Sequence, residues 1–342
     1  MLDLDEWKGD EVRAVVCDGT GGPEIMSWGE TAPPRPAAGE VLVRVTATAV
    51  NRADLAQREG RYPVPPGASP ILGLECSGIV AEVSAGVSTV GVGDPVMALV
   101  TGGAYAEFVA VPAEQIMPAP KSIPLADAGA LPETLCTVYS NLIRDAGLRA
   151  GQKVLVHGGG SGIGTTAIQV IRAFGAVPLV TVGSPEKAAR CIELGAELAI
   201  NYRRQDFVAE VRQATGGRGV DVLLDCVGAN YLQRNMDALA NDGTALVIGL
   251  QGGSQAEIDL SCLMRRRLNL RGSTLRARPA DQKRDIVAGT VQDLLPLVER
   301  GEIRPIIDQR HQIDRVADAH AYVGAGGNFG KVLLNVRSNS QP

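Results

Sequence analysis

The stretch Lys153-Val154-Leu155-Val156-His157-Gly158-Gly159-Gly160-Ser161-Gly162-Ile163-Gly164 decides the fold of this 342-residue chain. A short apolar run ends in a glycine-dense loop, and the loop opens into a helix-like segment, 165–174. This order of strand, loop and helix places a pyrophosphate at a helix N-terminus, where unpaired N–H groups and the helix dipole favour an anion. The loop departs from the Gly-x-Gly-x-x-Gly fingerprint at Ser161, so taken alone it leaves nucleotide binding and a structural turn about equally open.

The segments that follow favour nucleotide binding. Strand-like runs alternate with helix-like runs, and buried runs such as Val222-Leu223-Leu224 suit a parallel sheet that is covered on both faces. The pattern predicts a six-stranded, doubly wound parallel sheet. The predicted strands are 153–157, 178–182, 199–201, 220–226, 244–250 and 268–273, and the predicted helices between them are 162–174, 185–194, 206–215 and 230–240.

The end of the second predicted strand bears on the choice of cofactor. An NAD site usually has a carboxylate there, which accepts hydrogen bonds from the adenosine ribose. This strand instead ends in Gly183 and Ser184, with Lys187 close by. A cation in the first turn of a helix opposes the helix dipole, which favours a bound anion there over a merely solvated lysine. With Tyr202, these residues predict a 2′-phosphate site and therefore NADPH.

Composition argues against several other functions. The net charge of −5 disfavours wholesale binding to nucleic acid or to anionic membranes, and the basic run 265–267 is typical of a solvated helix end. No apolar run reaches the length of about 18 residues that a membrane-spanning helix needs. Residues 1–10 are expected to form a loose acidic extension without signal-peptide features. The six cysteines are scattered, as expected for free thiols in a reducing cytoplasm.

The chain on either side of the predicted parallel sheet has a different pattern. Residues 12–112 alternate short strand-like runs with Gly and Pro turns, which predicts a compact, partly closed barrel. Helical stretches are predicted at 125–146, broken near Pro132, and at 280–300. A final β-α-β tail, 306–336, is expected to return its last strand to the barrel. The predicted barrel strands are 12–17, 41–50, 78–83, 95–99 and 106–111.

Short segments along nearly the whole chain carry a family resemblance. Besides the glycine loop they are Gly21-Gly22-Pro23-Glu24, Asn51-Arg52-Ala53-Asp54-Leu55, Pro65-Pro66-Gly67-Ala68-Ser69, Gly73-Leu74-Glu75, Ala110-Val111-Pro112, Asp225-Cys226-Val227-Gly228, Gly249-Leu250-Gln251-Gly252-Gly253 and Gly330-Lys331. In combination they resemble the medium-chain dehydrogenase/reductase superfamily, and within it the zinc-free NADPH:quinone oxidoreductases. Several of these segments are most similar to the quinone oxidoreductase subgroup whose human member is induced by a tumour suppressor.

The resemblance implies an α/β architecture of two domains. A GroES-like β-barrel catalytic domain, 1–130 with 303–342, would accompany a doubly wound Rossmann domain for NADPH, 131–302, with the active site in the cleft between them. A homodimer is expected, in which the edge strands 268–273 of two copies pair so that neither sheet edge stays open.

The same resemblance bears on zinc. Zinc-dependent relatives place a cysteine where Asn51 stands and a histidine where Leu74 stands, and they often add a four-cysteine structural site. Catalytic zinc needs three protein ligands and one open position, whereas the three histidines here are isolated in the sequence. We therefore expect no metal, which disfavours plain alcohol dehydrogenation and leaves the reduction of an electrophilic acceptor.

Three residues are candidates for catalysis. Asn51 suits a helix N-cap, and the resemblance also implies that its amide donates to the substrate beside the nicotinamide. Tyr62 is either a packed loop aromatic or, by resemblance, lines the acceptor pocket and orients or protonates the reduced oxygen. Ser161 is a loop spacer that in the subgroup matters for cofactor binding and activity. The implied cofactor contacts are Thr137, Gly159, Gly160, Ser161, Gly162, Ile163, Gly164, Gly183, Ser184, Lys187, Tyr202, Cys226, Val227, Gly228, Gly249, Leu250, Gln251, Ser273, Leu275 and Asn328.

The implied activity is zinc-independent hydride transfer from NADPH to an ortho-quinone-like acceptor. Two alternatives stay open. One is an NADPH-dependent 2-alkenal or enone reductase, because conjugated acceptors need similar geometry. The other is a catalytically silent NADPH-binding protein, although the presence of both Asn51 and Tyr62 favours catalysis. No nucleic-acid or membrane partner is expected.

Overall fold

The computed structural model describes residues 11–336, so the expected loose extension at 1–10 lies outside the described residues. The strands are β1 (Val12–Cys17), β2 (Met26–Thr31), β3 (Glu40–Ala49), β4 (Glu75–Val83), β5 (Pro95–Leu99), β6 (Phe108–Pro112), β7 (Ile116–Pro118), β8 (Lys153–His157), β9 (Val177–Val182), β10 (Leu198–Asn201), β11 (Val220–Asp225), β12 (Leu239–Val247), β13 (Asn269–Gly272), β14 (Ile307–Gln312) and β15 (Lys331–Asn335). The α-helices are α1 (Arg52–Arg58), α2 (Leu125–Ala128), α3 (Pro132–Val138), α4 (Gly162–Ala173), α5 (Pro185–Leu194), α6 (Phe207–Ala214), α7 (Leu232–Ala238), α8 (Leu260–Arg266), α9 (Ala280–Asp293), α10 (Leu295–Glu299) and α11 (Val316–Gly324).

The six strands β8 to β13 form one parallel sheet in the order β10-β9-β8-β11-β12-β13. The prediction of a six-stranded, doubly wound parallel sheet is therefore confirmed. Leu155, Leu179 and Leu223 are fully buried at its centre, which explains why these strands are nearly continuous apolar runs. The strand order reverses at β8, and ligands of such sheets bind beyond the carboxyl ends of the strands at this point.

The mixed sheet has the order β14-β15-β3-β4-β5-β7, and β6 pairs with β3 away from this path. Val41, Val43 and Val45 alternate along β3 and pack into a buried cluster with residues of β4 and β5. The last strand, β15, pairs antiparallel with β3, which confirms that the C-terminal tail returns to the β-rich part of the chain. Strands β1 and β2 form a separate two-stranded sheet.

Several predicted boundaries were wrong. The helix predicted at 280–300 is divided into α9 and α10 at Leu294, because Pro296 has no N–H with which to continue the hydrogen-bond ladder. The predicted helix 230–240 is a 3₁₀ turn, Ala229–Tyr231, followed by the shorter α7, and strand β12 starts before residue 244 and ends before residue 250. The predicted helix 125–146 breaks before Pro132 as expected and continues beyond α3 as a π-helical segment, Tyr139–Asp145.

Two strands, β2 and β7, have no counterpart in the prediction from sequence, and only the end of helix α8 was indicated, by the basic run 265–267. Strand β2 has the polar sequence MSWGET and is held by its pairing with β1. Asp259 is the N-cap residue of helix α8, and its carboxylate accepts the Ser261 N–H. Its residues Leu260 and Met264 are exposed, so it lacks the apolar stripe that indicates a helix in a sequence.

The chain divides into two compact units. Among the described residues, the first comprises 11–136, Arg276–Gly301 and 307–336, and the second comprises Thr137–Leu275 with Glu302–Ile306. The family resemblance had assigned 276–301 to the Rossmann domain, 131–302. These residues instead belong to the first unit, because α9 packs against the 3₁₀ turn Ala113–Gln115 and against β7. No helix within residues 11–336 is both long and apolar enough to cross a membrane.

Candidate functional site

The glycine loop after β8 needs glycine for two reasons, which are its backbone conformation and its close packing. Gly158 has a φ of +77°, which turns the chain out of the strand. A Cβ on Gly159 would lie 2.6 Å from Cβ of Val180, and a Cβ on Gly164 would clash with the carbonyl oxygen of Gly158. Strand β9 and helix α4 therefore approach the loop more closely than any side chain would allow.

The loop ends at Ser161, which is the N-cap residue of α4. Its hydroxyl accepts the Gly164 N–H at 3.0 Å. Among residues 11–336, no acceptor receives the N–H of Gly160, Gly162 or Ile163. Such unpaired N–H groups at a helix start form an anion site. The structure thus gives Ser161 a capping role, and its role in catalysis stays a prediction.

The predicted 2′-phosphate residues lie together at the carboxyl ends of β9 and β10. The hydroxyl of Ser184 caps α5 by accepting the Lys187 N–H at 3.2 Å. A Cβ on Gly183 would lie 2.9 Å from the Tyr202 hydroxyl and 3.7 Å from Nε of Arg203, so the absence of a side chain at 183 keeps this corner open. Arg203 was not among the predicted site residues, although its position directly after Tyr202 was a usable signal.

One carboxylate stands close to this corner. Glu186 occupies the first turn of α5 and is fully exposed. Its pKa is lowered by its own backbone N–H and by the Ser184 hydroxyl, both of which stabilise the charged form. A carboxylate in this turn complements the dipole of α5.

Two segments of predicted cofactor contacts, 226–228 and 249–251, lie next to each other beyond the ends of β11 and β12. The Gln251 N–H donates to the Cys226 carbonyl at 3.3 Å, and the Gly252 N–H donates to the Val227 carbonyl at 2.7 Å. Asp225 is fully buried and accepts the N–H groups of Val227 and Gly228. Burial raises the pKa of Asp225, and these two hydrogen bonds act in the opposite direction. The structure therefore brings 226–228 and 249–251 together near the glycine loop, where Sγ of Cys226 lies 3.5 Å from the His157 carbonyl.

The remaining predicted cofactor residues are more scattered. Thr137 is buried in α3, and its carbonyl accepts the Asn141 amide at 2.9 Å. The Ser273 N–H donates to the Val247 carbonyl at 2.9 Å, which continues the β12–β13 pairing, and Leu275 is buried shortly after it. Asn328 belongs to the first unit, where its amide donates to the Gly330 carbonyl at 2.7 Å.

Asn51 occupies the N-cap position of α1, and both ends of its amide are bonded. Its Nδ2 donates to Oε1 of Glu75 at 2.9 Å and, more weakly, to the Ala49 carbonyl at 3.3 Å. Its Oδ1 accepts from Nζ of Lys331 at 2.7 Å, and the same ammonium lies 2.6 Å from Oε1 of Glu75. The amide is therefore held in one orientation by a buried ion pair that the sequence did not predict.

A second buried network lies behind α1. Asp54 accepts the N–H of Asn51 at 2.8 Å and the Tyr105 hydroxyl at 3.3 Å. The hydroxyl of Tyr105 also lies 3.1 Å from Nε2 of His320. Burial raises the pKa of Asp54 to about 6 and lowers the pKa of His320 to about 3. These groups are therefore favoured in their neutral forms over much of the acidic range.

Tyr62, the third candidate for catalysis, follows α1 and contacts a residue distant in the sequence. The guanidinium carbon of Arg276 lies 5.2 Å from the centre of the Tyr62 ring, within the range of a cation–π contact. The Nε atom of Arg276 donates to the Thr101 carbonyl at 2.8 Å. Arg276 directly follows the predicted contact Leu275, yet the sequence offered no sign that it turns toward Tyr62.

Comparison with known proteins agrees with this geometry. The model for the alcohol dehydrogenase GroES-like domain matches residues 37–121, and the model for the zinc-binding dehydrogenase matches residues 162–290. A 2-haloacrylate reductase of Burkholderia sp is 32% identical over 94% of this chain and 98% of its own length. A quinone oxidoreductase of Salmonella typhimurium is 32% identical over 92% of this chain and 96% of its own. The crystal structure of Escherichia coli quinone oxidoreductase complexed with NADPH has a TM-score of 0.84 at 29% identity, covering 94% of this chain and 99% of that one.

The zinc in the name of one matching model does not fit the residues present here. Within residues 11–336, no group of three or more His, Cys, Asp or Glu side chains is placed to hold a metal ion. The oxygens of Asn51 and Glu75 instead accept from the Lys331 ammonium. The GroES-like part, the six-stranded Rossmann sheet and the relatives agree with one another. The chain belongs to the medium-chain dehydrogenase/reductase family, together with quinone oxidoreductases that resemble it over nearly its whole length.

Proposed function

We propose that this protein is a quinone reductase that uses NADPH without a metal ion. The observation that carries the proposal is the open N-terminus of α4, where three N–H groups of the glycine loop have no acceptor among the described residues. A pyrophosphate satisfies such groups and is favoured by the helix dipole. The bound cofactor supplies the hydride. A relative described as complexed with NADPH supports this choice of dinucleotide.

The cationic corner beyond β9 and β10 supports NADPH over NADH. Lys187, Tyr202 and Arg203 are close in the chain or in space to Gly183, and they offer two positive charges and one hydroxyl. In the proposal they bind the 2′-phosphate through charge-assisted hydrogen bonds, which are roughly twice as strong as neutral ones. An unphosphorylated ribose offers these two charges no phosphate to bind.

Asn51 and Tyr62 are assigned to the acceptor. Hydride transfer to a quinone develops negative charge on its oxygen, and fixed hydrogen-bond donors stabilise that charge. Lys331 and Glu75 hold the Asn51 amide, so its Nδ2 keeps one orientation and its weaker bond to Ala49 is the one that can be exchanged. The Tyr62 hydroxyl orients the reduced oxygen, and the final protons come from it or from solvent.

An acceptor screen that follows NADPH absorbance tests the proposal. Stopped-flow mixing with ortho-quinones, para-quinones and enones, each with NADPH and with NADH, is expected to give the fastest turnover for NADPH with an ortho-quinone. The matched variants are Tyr62→Phe and the exposed Tyr202→Phe, which remove one hydroxyl each. Tyr62→Phe is expected to lower kcat for the quinone, and Tyr202→Phe to raise KM for NADPH. Tight NADPH binding without turnover of any acceptor would establish the silent alternative.

A second candidate is the reduction of an activated carbon–carbon double bond. It is favoured by the 2-haloacrylate reductase, whose identity to this chain equals that of the Salmonella quinone oxidoreductase at 32%. A kcat/KM for 2-chloroacrylate or for an enone that exceeds the quinone value would establish this candidate. The same assay therefore decides between the two.

We further propose that two copies of the chain pair through β13. This strand is the edge of the parallel sheet, and all four of its residues are exposed. An open edge offers unpaired N–H and C=O groups, and a symmetric pairing of two such strands closes both edges.

A further inference from the structure

Two cationic side chains of the first unit are buried close to each other without a salt bridge. Arg276 is 6% exposed and Lys283 is 7% exposed, and neither forms an ion pair with any residue between 11 and 336. The carboxylates that stabilise buried cations elsewhere in this chain, such as Glu75 for Lys331, have no counterpart here. Charged side chains are almost never fully buried unless they are paired.

The hydrogen bonds of this pair satisfy only part of its donors. Nε of Arg276 donates to the Thr101 carbonyl at 2.8 Å, and Nζ of Lys283 donates to the Thr101 hydroxyl at 2.9 Å. Both terminal nitrogens of the guanidinium, Nη1 and Nη2, are buried and have no hydrogen-bond partner within the described part of the chain. Both residues therefore donate to one neutral residue, Thr101, while the two terminal nitrogens of Arg276 donate to no described residue.

The surrounding charges compensate this positive charge only at a distance. Burial lowers the pKa of both side chains, and Arg276 further lowers the pKa of Lys283. The negative charges of Asp54 and Glu133 act in the opposite direction on the pKa of Arg276, and Glu133 does so on that of Lys283. Neither carboxylate is within the 4.0 Å of an ion pair with these two residues. A desolvated guanidinium without a close anion is an unfavourable state that a bound anion relieves.

An aromatic ring and a glycine lie next to the guanidinium of Arg276. The ring of Tyr62 lies on one side of Arg276. Gly102 lies close to its Nη2: a Cβ at this position would come within 3.6 Å of Nη2 and within 2.6 Å of the Ser69 carbonyl. The φ of +154° at Gly102 is also unfavourable for a side chain. Bare backbone and an aromatic ring therefore lie next to the two unused donors.

We propose that Arg276 binds the carboxylate of the acceptor, with Lys283 adding a second positive charge. The substrate class is then a conjugated, reducible acceptor that carries an ionised carboxylate. The parallel N–H donors of a guanidinium match the two oxygens of a carboxylate, and Tyr62 is the residue already assigned to the acceptor. The inference rests on the proposed function, because it names the kind of acceptor that this reductase takes.

Steady-state kinetics with two matched acceptors test the inference. A quinone carboxylate and the corresponding quinone carboxamide differ in charge and hardly in shape. The wild-type protein is expected to favour the carboxylate in kcat/KM by about tenfold or more. Arg276→Met is expected to bring this ratio close to one, Lys283→Met to lower it partly, and Arg276→Lys to retain part of it. Equal kcat/KM values for the two acceptors in the wild type would overturn the inference.

The control variant is Arg284→Met, which removes one positive charge from α9 at the residue next to Lys283. Arg284 is half exposed and forms surface contacts with Glu114 and Asp285. It is expected to leave the preference for the carboxylate at its wild-type value. A loss of preference as large as that in Arg276→Met would overturn the inference, because the effect would then come from the general field of the protein.

Calorimetry without cofactor separates this inference from the proposed function. Benzoate is expected to bind the wild-type protein and not Arg276→Met, whereas benzamide is expected to bind neither. This result supports the anion site even if no acceptor is reduced. Quinone turnover without benzoate binding and without the preference for the carboxylate overturns the site and leaves the proposed function standing. A rise in the Kd of NADPH in Arg276→Met comparable to the loss of benzoate binding would assign the site to a cofactor phosphate and overturn the inference.

Discussion

Nζ of Lys331 lies 2.6 Å from Oε1 of Glu75, and both side chains are buried. Removing one partner of such a pair leaves an uncompensated charge in the interior, which costs about 3–5 kcal/mol. We therefore expect Lys331→Met to lower the free energy of unfolding in urea by that amount. Arg315→Ala, which breaks a surface pair with Asp318, is the control and is expected to cost about 1 kcal/mol or less. A loss in Lys331→Met no greater than in this control would contradict the role of the pair.

Ser161 provides a test of capping against catalysis. Loss of its cap in Ser161→Ala is expected to lower the free energy of unfolding by about 1 kcal/mol. Ser161→Asn supplies an equally good cap and is expected to restore stability. Denaturation curves measure this effect, and kcat in the same two variants measures catalysis. If Ser161→Asn is stable but has lost kcat, the hydroxyl has a catalytic role beyond the cap.

Lys187 is expected to decide the preference for NADPH. Lys187→Ala removes one charge-assisted bond to the proposed 2′-phosphate, so KM for NADPH is expected to rise about tenfold or more while NADH kinetics stay nearly unchanged. Lys121→Ala removes an exposed lysine of the first unit and serves as the control. Equal effects of Lys187→Ala on both cofactors would contradict the assignment.

His157 makes stability depend on pH. Burial lowers its pKa from 6.5 to about 4. Between these pH values the unfolded chain binds a proton that the folded chain does not, so the contribution of His157 is complete above pH 6.5 and is lost as the pH falls toward 4. The loss amounts to about 3 kcal/mol. We expect the free energy of unfolding of His157→Gln to rise less steeply than that of the wild type between pH 4 and pH 6.5.

Two other buried groups act over the same range and make the comparison with wild type necessary. His320, with a pKa lowered to about 3, acts in the same direction as His157. Asp54 acts in the opposite direction, because its pKa is raised to about 6 and its contribution is lost as the pH rises toward that value. His311→Gln, at a partly exposed histidine, is the matched control. An unchanged pH dependence in His157→Gln would contradict the prediction.

The proposed dimer depends on the exposed edge of β13. Leu270 is 41% exposed in this strand. Placing a charge there in Leu270→Glu puts two like charges at the proposed pairing of copies, and we expect sedimentation to show a shift from dimer to monomer. Met264→Glu, at an exposed residue of α8 outside the strand, is the control. A wild-type protein that sediments as a monomer would contradict the dimer.

Local patterns in the sequence were sufficient for most of the fold. Strands β1, β5 and β8 and helix α5 match their predicted bounds, since each combines apolar residues with a Gly, Pro or capping residue at or near its ends. Strand β2 was not predicted and helix α8 was indicated only at its end, because pairing and capping hold these elements rather than an apolar face. The glycine loop could also be found in the sequence, because its residues are contiguous.

The sequence by itself determined the parallel sheet, the glycine loop that precedes α4 and the absence of a cysteine at 51 and of a histidine at 74. Only the tertiary structure decided what surrounds the candidate acceptor residues. Lys331 contacts Asn51 across 280 positions of sequence, and Arg276 contacts Tyr62 from a segment that the family resemblance had assigned to the Rossmann domain. A periodic pattern indicates which face of an element is buried. It carries no information about which charged residue from a distant part of the sequence contacts that face.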